Sequence, residues 1–212
     1  MAELLLDVQS PPATPSAGQS ILYCDNIRKK WQSKDDAGVV ETLGDFENFS
    51  TANQTGFATD TYLVGSSILI PQSLVRAGTI YRLRFDMVKT GAGTQTPILS
   101  VRFGTAGTTA DTARLVFTFA AGTAAIDTGI FEVAVHFRTV GASAVAVGTA
   151  NLNHHLAATG LTATGAAGTG IILVTSGAFD STVAASIIGA SFNGGTSFSG
   201  TNVHVQSQLM NV

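Results

Sequence analysis

The chain has few charged residues, and they are unevenly placed. Charged residues make up 12% of its 212 residues, about half the share of an ordinary globular domain. Lysine and arginine are absent after Arg138, and Asp180 is the only acidic residue beyond that point. Because catalytic sites need titratable groups brought together, the last third of the chain offers little for catalysis, and structural and binding roles come first.

Cysteine and long apolar runs are also scarce. Cys24 is the only cysteine, so no disulfide can form within one chain; a buried or idle thiol and a bridge between subunits both stay open. No stretch approaches the roughly 20 apolar residues of a membrane span. Glu3 and Asp7 flank three leucines at the amino end, unlike the basic and apolar regions of a secretory signal. We expect assembly in a reducing cytoplasm and no membrane partner.

The basic residues give no sign of nucleic-acid binding. The net charge is −3, whereas phosphate binding needs clustered lysine and arginine. The one basic cluster lies among acidic residues, which is typical of a solvated hairpin of mixed charge. Its members are Arg28, Lys29, Lys30 and Lys34.

The first quarter of the chain predicts three short regions before a larger body. Residues 1–19 form an extended arm, since Pro11, Pro12 and Pro15 fix the backbone and remove donors. Residues 20–44 predict a small β-meander with a turn at 35–38. Residues 45–56 are a linker whose Phe46 and Phe49, like the following Phe57, we expect to pack on the body. Residues 57–212 form the body.

The body is predicted to be all-β. Strict alternation places Tyr81, Leu83 and Phe85 on one face of a strand and Arg82 and Arg84 on the other. Repeated alternating segments with glycine- and threonine-rich turns predict an antiparallel, jelly-roll-like β-sandwich. The predicted strands are Thr61–Ile70, Gly78–Lys89, Pro97–Phe103, Ala113–Phe119, Gly129–Val140, Ser143–Val147, Gly170–Thr175, Ser186–Phe192 and Asn202–Leu209. No segment has the pattern of an amphipathic helix; Ser73–Arg76 and Asn151–Ala158 have room for a turn or so of helix each.

Chemistry-bearing residues are sparse in the body. His154 and His155 are adjacent and would face opposite ways on a strand; a threefold axis could gather one from each of three chains, and loop or interface histidines are the other interpretation. Asp111, Asp127 and Asp180 fall in predicted turns, where aspartate stabilises local backbone. We therefore expect no enzyme, no cofactor and no metal. Because the phenylalanines mostly alternate inward, we expect no rich platform for sugar stacking.

The amino-terminal region resembles a segment of tailed-bacteriophage structural proteins. The shared pattern is a proline-rich lead, a glycine, a short strand ending in tyrosine, a basic residue near an aromatic one, and a Lys-Asp-Asp-x-Gly turn. These are Pro11 to Pro15, Gly18, Tyr23, Lys30-Trp31 and Lys34 to Gly38. The body is similar in style to trimeric jelly-roll virion domains. The resemblance implies a homotrimer, an amino-terminal anchor and no enzymatic activity.

These observations predict a non-enzymatic virion structural protein of the capsid-decoration or head-fibre type. It would be assembled in the host cytoplasm, anchored by residues 1–44 to capsid or other virion proteins, and trimerised through its β-sandwich. The expected anchor contacts are Leu4, Leu5, Leu6, Tyr23 and Trp31. The alternative is a tail-fibre or receptor-binding tip whose partner is a host-surface glycan. A polysaccharide-degrading enzyme ranks third because the acids are few.

Overall fold

The computed structural model describes a chain built almost entirely of strands and turns. It describes residues 8–25, 31–34, 36–38, 40–42, 46–70, 75–90, 93–165, 168–198 and 205–210. Within these ranges the only helical segment is a single 3₁₀ turn, Gly195–Phe198, and no helix is long and apolar enough to cross a bilayer. The chain divides into two compact units, Met1–Asp45 and Phe46–Val212. The predicted all-β class is confirmed.

The amino-terminal unit is a four-stranded sheet. Its strands are β1 (Val8–Gln9), β2 (Ile21–Asp25), β3 (Trp31–Lys34) and β4 (Val40–Thr42), in that spatial order. The pairs β2–β3 and β3–β4 are antiparallel, as expected of a meander. β1 pairs in parallel with β2, so part of the predicted extended arm is an edge strand of this sheet.

The second unit is a sandwich of two antiparallel sheets. One has six strands in the order β13-β12-β11-β8-β15-β5, and the other has five, with β10-β9-β14 in sequence and both β6 and β7 paired to β14. The strands are β5 (Glu47–Ser50), β6 (Thr61–Tyr62), β7 (Ile68–Ile70), β8 (Ile80–Lys89), β9 (Ile98–Gly104), β10 (Thr112–Thr118), β11 (Asp127–Thr139), β12 (Val145–His154), β13 (Ile172–Thr175), β14 (Ser186–Asn193) and β15 (Val205–Met210).

The connections between the sheets are those of a jelly roll. The four strands β5-β15-β8-β11 lie in one sheet, and β7-β14-β9-β10 lie in the other. The chain changes sheet at six of the ten connections between β5 and β15; the connection β6–β7, the hairpin β9–β10 and the meander β11–β12–β13 stay in one sheet. β12 and β13 extend the six-stranded sheet beyond the eight strands of a minimal jelly roll.

The core lies between the sheets and is built from phenylalanine. Ten of the 12 phenylalanines are buried, and six of these ten lie on strands, where alternation directs them inward from both sheets. Phe85 and Phe131, on neighbouring strands, stack with ring centroids 4.9 Å apart. Phe192 comes from the other sheet and meets both rings edge to face at 5.7 and 5.2 Å, which joins the two sheets at the centre.

Two predicted segments, the linker and the strand 61–70, differ in the structure. The predicted linker contributes β5, which pairs with β15. Phe49, expected to pack on the body, is 68% exposed, whereas Phe57 is buried; alternation along β5 turns Phe49 outward. The predicted strand 61–70 is broken into β6 and β7 by a turn in which Ser66 N donates to Leu63 O.

The helical turn considered at 151–158 does not form, because residues 151–154 belong to a strand and residues 155–158 are not helical. Asn151–His154 continue β12, because each of these residues pairs in register with β11 between Gly129 and Glu132. In the other segment, residues 73–76, the first two residues lie outside the described part of the chain and the last two are not helical.

Candidate functional site

The Lys34–Gly38 turn of the amino-terminal unit holds the proline-rich arm. Lys34 Nζ donates to the carbonyl of Pro12 at 2.8 Å, and Gly18 N donates to Asp36 Oδ2 at 2.6 Å. Gly38 has φ +82, and a Cβ there would lie 3.3 Å from Thr14 Oγ1; both features favour glycine. The charged turn and the proline lead, 18 to 22 residues apart in sequence, therefore form one structural unit.

The expected anchor residues fall in different environments. Tyr23 is 1% exposed, and its hydroxyl donates to Gln32 Oε1 at 2.7 Å, so its side chain is part of the sheet's own packing. Leu22, its neighbour on β2, is 54% exposed. Trp31 lies on β3, but its side chain, like Leu4, Leu5 and Leu6, lies outside the described residues. Cys24 is a free, half-buried thiol.

A groove crosses the outer face of the six-stranded sheet. It encloses about 670 Å³. Its lining residues lie on β5, β15, β8, β11 and β12, and one further residue, Ile171, directly precedes β13. Six neighbouring strands span roughly 24 Å. The polar side chains on its lining are Glu47, Asn48, Arg82, Arg84, Glu132, Thr149, Asn151, Gln206 and Gln208. Two exposed apolar side chains, Phe49 on β5 and Ile171 before β13, stand at opposite ends.

Among the described residues, the polar side chains of this groove interact only weakly with one another. Arg84 Nε lies 3.6 Å from Glu132 Oε1 across the β8–β11 pair, and both side chains are about half exposed, so the pair contributes little to stability. Arg82 forms no salt bridge with any residue that the structure describes. The Asn151 Oδ1 atom is covered but accepts no hydrogen bond from the described residues.

Asp127, by contrast, is fully engaged in holding a loop. Its carboxylate accepts hydrogen bonds from the backbone N–H groups of Thr128 and Leu161 at 2.8 and 2.9 Å and contacts His154 Nδ1 at 2.8 Å. Burial alone would raise the pKa of Asp127, but these bonds and a further N–H from Leu156 outweigh it, and the pKa is lowered. His154 is thereby tied to this loop.

The pairing of Asp127 and His154 was not visible in the sequence. The two residues are 27 positions apart and meet because the hairpin β11–β12 brings its two ends together. The idea of a histidine on a threefold axis stays a prediction, and of the adjacent pair only the exposed His155 is not engaged with Asp127.

A second polar cluster lies on the outer face of the five-stranded sheet. Arg102 donates from Nε to Ser191 Oγ at 2.7 Å and from Nη1 to the carbonyls of Thr109 and Asp111 at 3.0 and 2.6 Å, and it also pairs with Asp60. The Asp111 carboxylate accepts the backbone N–H groups at 106 and 107, at 2.9 and 2.7 Å. These bonds fold residues 105–111 over the sheet, as expected of an aspartate in a turn.

Neither cluster resembles a metal centre. No group of three or more histidine, cysteine, aspartate or glutamate side chains in the described part of the chain could hold a metal ion. Comparison with known proteins adds no family: no protein-family model matches the chain, and no curated protein is significantly similar to it. The amino-terminal unit and the groove are the features of the molecule that bear on its function.

Proposed function

We propose that this chain is a non-enzymatic structural protein of a tailed-bacteriophage virion, of the capsid-decoration or head-fibre type. Its amino-terminal unit attaches it to the capsid, and its jelly-roll body projects from that attachment and forms a homotrimer. The protein resides in the virion after assembly in the host cytoplasm.

One observation carries the proposal: the proline-rich lead and the charged turn of the phage-like pattern contact each other. Lys34 and Asp36, from the charged turn, bind the backbone of the arm at Pro12 and Gly18. A pattern whose members are bonded together specifies a small folded module with its own sheet. A module of that kind, which forms a compact unit of its own, suits a protein that carries an attachment device.

The surface of the body supports self-association. Nine large apolar side chains among the described residues of this unit are exposed, and the last third of the chain carries a single acid and no lysine or arginine to repel another copy. Because exposed apolar side chains that are scattered singly are common on monomers, the low charge is the stronger support for contact between copies, and closed rotational symmetry is the usual arrangement of homo-oligomers. The exposed residues are Phe49, Val64, Leu69, Val116, Ile126, Val140, Ile171, Leu173 and Val183.

Co-sedimentation with purified, tail-less capsids of the parent phage tests the proposal. The full chain should bind saturably, and deletion of residues 1–44 should abolish binding. The double substitution Lys34→Ala with Asp36→Ala should weaken binding strongly, because it frees the arm from the turn. Sedimentation equilibrium of the full chain should give the mass of a trimer.

A matched control keeps the charge change and moves it to the body. Arg84→Ala with Glu132→Ala also removes one cation and one acid, but from an exposed pair on the six-stranded sheet, and should leave capsid binding intact. Retention of binding by the chain without residues 1–44 would show that the attachment assignment is wrong. Binding to host cells and not to capsids would favour a receptor-binding tip.

A further inference from the structure

The groove on the six-stranded sheet has the composition of a ligand site, and nothing in the attachment role requires it. We propose that it binds a neutral oligosaccharide, laid across the strands from Phe49 on β5 toward Ile171 beside β13. The proposal does not depend on capsid attachment, because it concerns the second unit alone.

Phe49 is the first observation. Ten phenylalanines are buried and Phe46 is half-buried, whereas Phe49 is 68% exposed. Its ring lines the main groove and also a neighbouring depression of about 220 Å³ that is lined by Arg84, Asp86 and Gln206. An aromatic ring standing between two polar hollows offers a flat apolar face to a sugar ring, with hydrogen-bonding groups on either side.

The polar lining is the second observation. Arg82 and Arg84 supply planar arrays of donors, Glu132 supplies acceptors, and the amides of Gln206 and Gln208 supply both. Sugar hydroxyl groups are at once donors and acceptors, so a lining of mixed planar groups matches them. Asn151 adds an amide oxygen without a donor among the described residues, and rotation of this amide would present it to a hydroxyl group.

The charges of the lining select a neutral ligand. Two arginines, Arg82 and Arg84, are balanced by two acids, Glu47 and Glu132. A phosphorylated or sulfated ligand would gain from the arginines and lose to the acids. A second copy of the chain fits less well, since glutamate is depleted at the centres of protein interfaces and Glu132 lies on β11, in the middle of the groove.

Isothermal titration of the full chain with a panel of neutral hexasaccharides tests the proposal. The panel contains glucose, galactose, mannose and N-acetylglucosamine oligomers, and a heparin hexasaccharide serves as the anionic probe. We expect saturable binding of at least one neutral member. Phe49→Ala should weaken it about tenfold or more through loss of stacking, and Gln208→Ala, on the opposite side of the floor from Asn151, should also weaken it.

Leu69→Ala is the matched control. Leu69 is 59% exposed on β7, in the other sheet, so its truncation removes a similar exposed apolar side chain without touching the groove and should leave affinity unchanged. Binding of no neutral member, or of heparin alone with loss at high salt, would overturn the proposal. It would also be overturned if Phe49→Ala converted an oligomer to a monomer in sedimentation, since the face would then be a contact between copies.

Discussion

The two outer faces of the sandwich carry similar polar residues and use them in opposite ways. On the five-stranded sheet, Arg102 is 9% exposed and all three of its guanidinium nitrogens are engaged. On the six-stranded sheet, the Arg84 side chain is 56% exposed and has one loose ion pair. The first arrangement closes a face, and the second leaves a face open.

The difference arises from one loop. Residues 105–111 can lie over the five-stranded sheet because Asp111 binds their backbone N–H groups while Arg102 binds their carbonyls. The Arg102 guanidinium and the Asp111 carboxylate each have partners of opposite character there, which is the condition for burying such groups at little cost. Arg82 and Arg84 stay exposed, so their hydrogen-bonding capacity remains available to a ligand.

The largest expected effect is a difference in stability between variants of Arg102 and of Arg84. Arg102→Met should lower the free energy of unfolding by about 3 kcal/mol, because it leaves buried acceptors at Ser191, Thr109 and Asp111 without a donor. Arg84→Met should change it by less than about 0.5 kcal/mol, since surface pairs contribute little. Chemical denaturation of both variants measures the difference. Equal losses of unfolding free energy would mean that the two outer faces do not differ in how their arginines are held.

A smaller difference in stability is expected between two substitutions that each add one heavy atom, one on each outer face. Gly189 on β14 lies under the Tyr62 side chain, so a Cβ there would overlap the phenol. Gly189→Ala should therefore cost about 2 kcal/mol. Ala134→Ser also adds one heavy atom, in the groove on the other sheet, and should cost less than about 0.5 kcal/mol. Thermal unfolding of the pair checks this; a tolerated alanine at 189 would mean that Tyr62 does not cover this face.

The closed face should also respond to alkaline pH. Burial, and then the nearby Asp111 carboxylate, raise the pKa of Tyr62 from 10.0 to about 12. The unfolded chain therefore loses this proton first, and the stability that is fully present below pH 10 is lost as the pH rises toward 12. With partial exposure taken into account, the loss is about 1 kcal/mol.

Tyr62→Phe isolates this contribution. Unfolding measured from pH 9 to 12 should show a shallower decline in the variant than in the parent chain, because both retain Tyr81, whose pKa is also raised by burial. Identical slopes would mean that the Tyr62 phenol titrates as it does in water.

The alternation of side chains was predictable from the sequence, and with it the two faces of β8 and β11. Tyr81, Leu83 and Phe85 are buried and Arg82 and Arg84 are exposed, as period-two spacing requires. The burial of the Arg102 side chain was not predictable from the sequence. Its outward direction follows from alternation, but its burial depends on a loop whose sequence, GTAGTTADT, indicates only a turn.

The groove could not be predicted for a related reason. Its lining joins β5 to β15, whose contacting residues Asn48 and Ser207 are 159 positions apart. Phe49 sits in a short polar segment without enough alternation to reveal a strand. Only the pairing of the first and last strands of the body turns its ring outward beside Gln206, its partner in register.

The smallest expected effect compares the two faces of β15 itself. Ser207 is 3% exposed and donates from Oγ to the Gly65 carbonyl at 2.8 Å, whereas its neighbour Gln206 is exposed in the groove. Ser207→Ala should cost about 1 kcal/mol through the lost hydrogen bond, and Gln206→Ala less than about 0.5 kcal/mol. Denaturant unfolding of both variants measures these costs. If Gln206→Ala lost more unfolding free energy than Ser207→Ala, the outer face of β15 would contribute to the fold and would not be left open for a ligand. If Ser207→Ala lost more, as expected, the stabilising contacts of this strand would lie on its inner face.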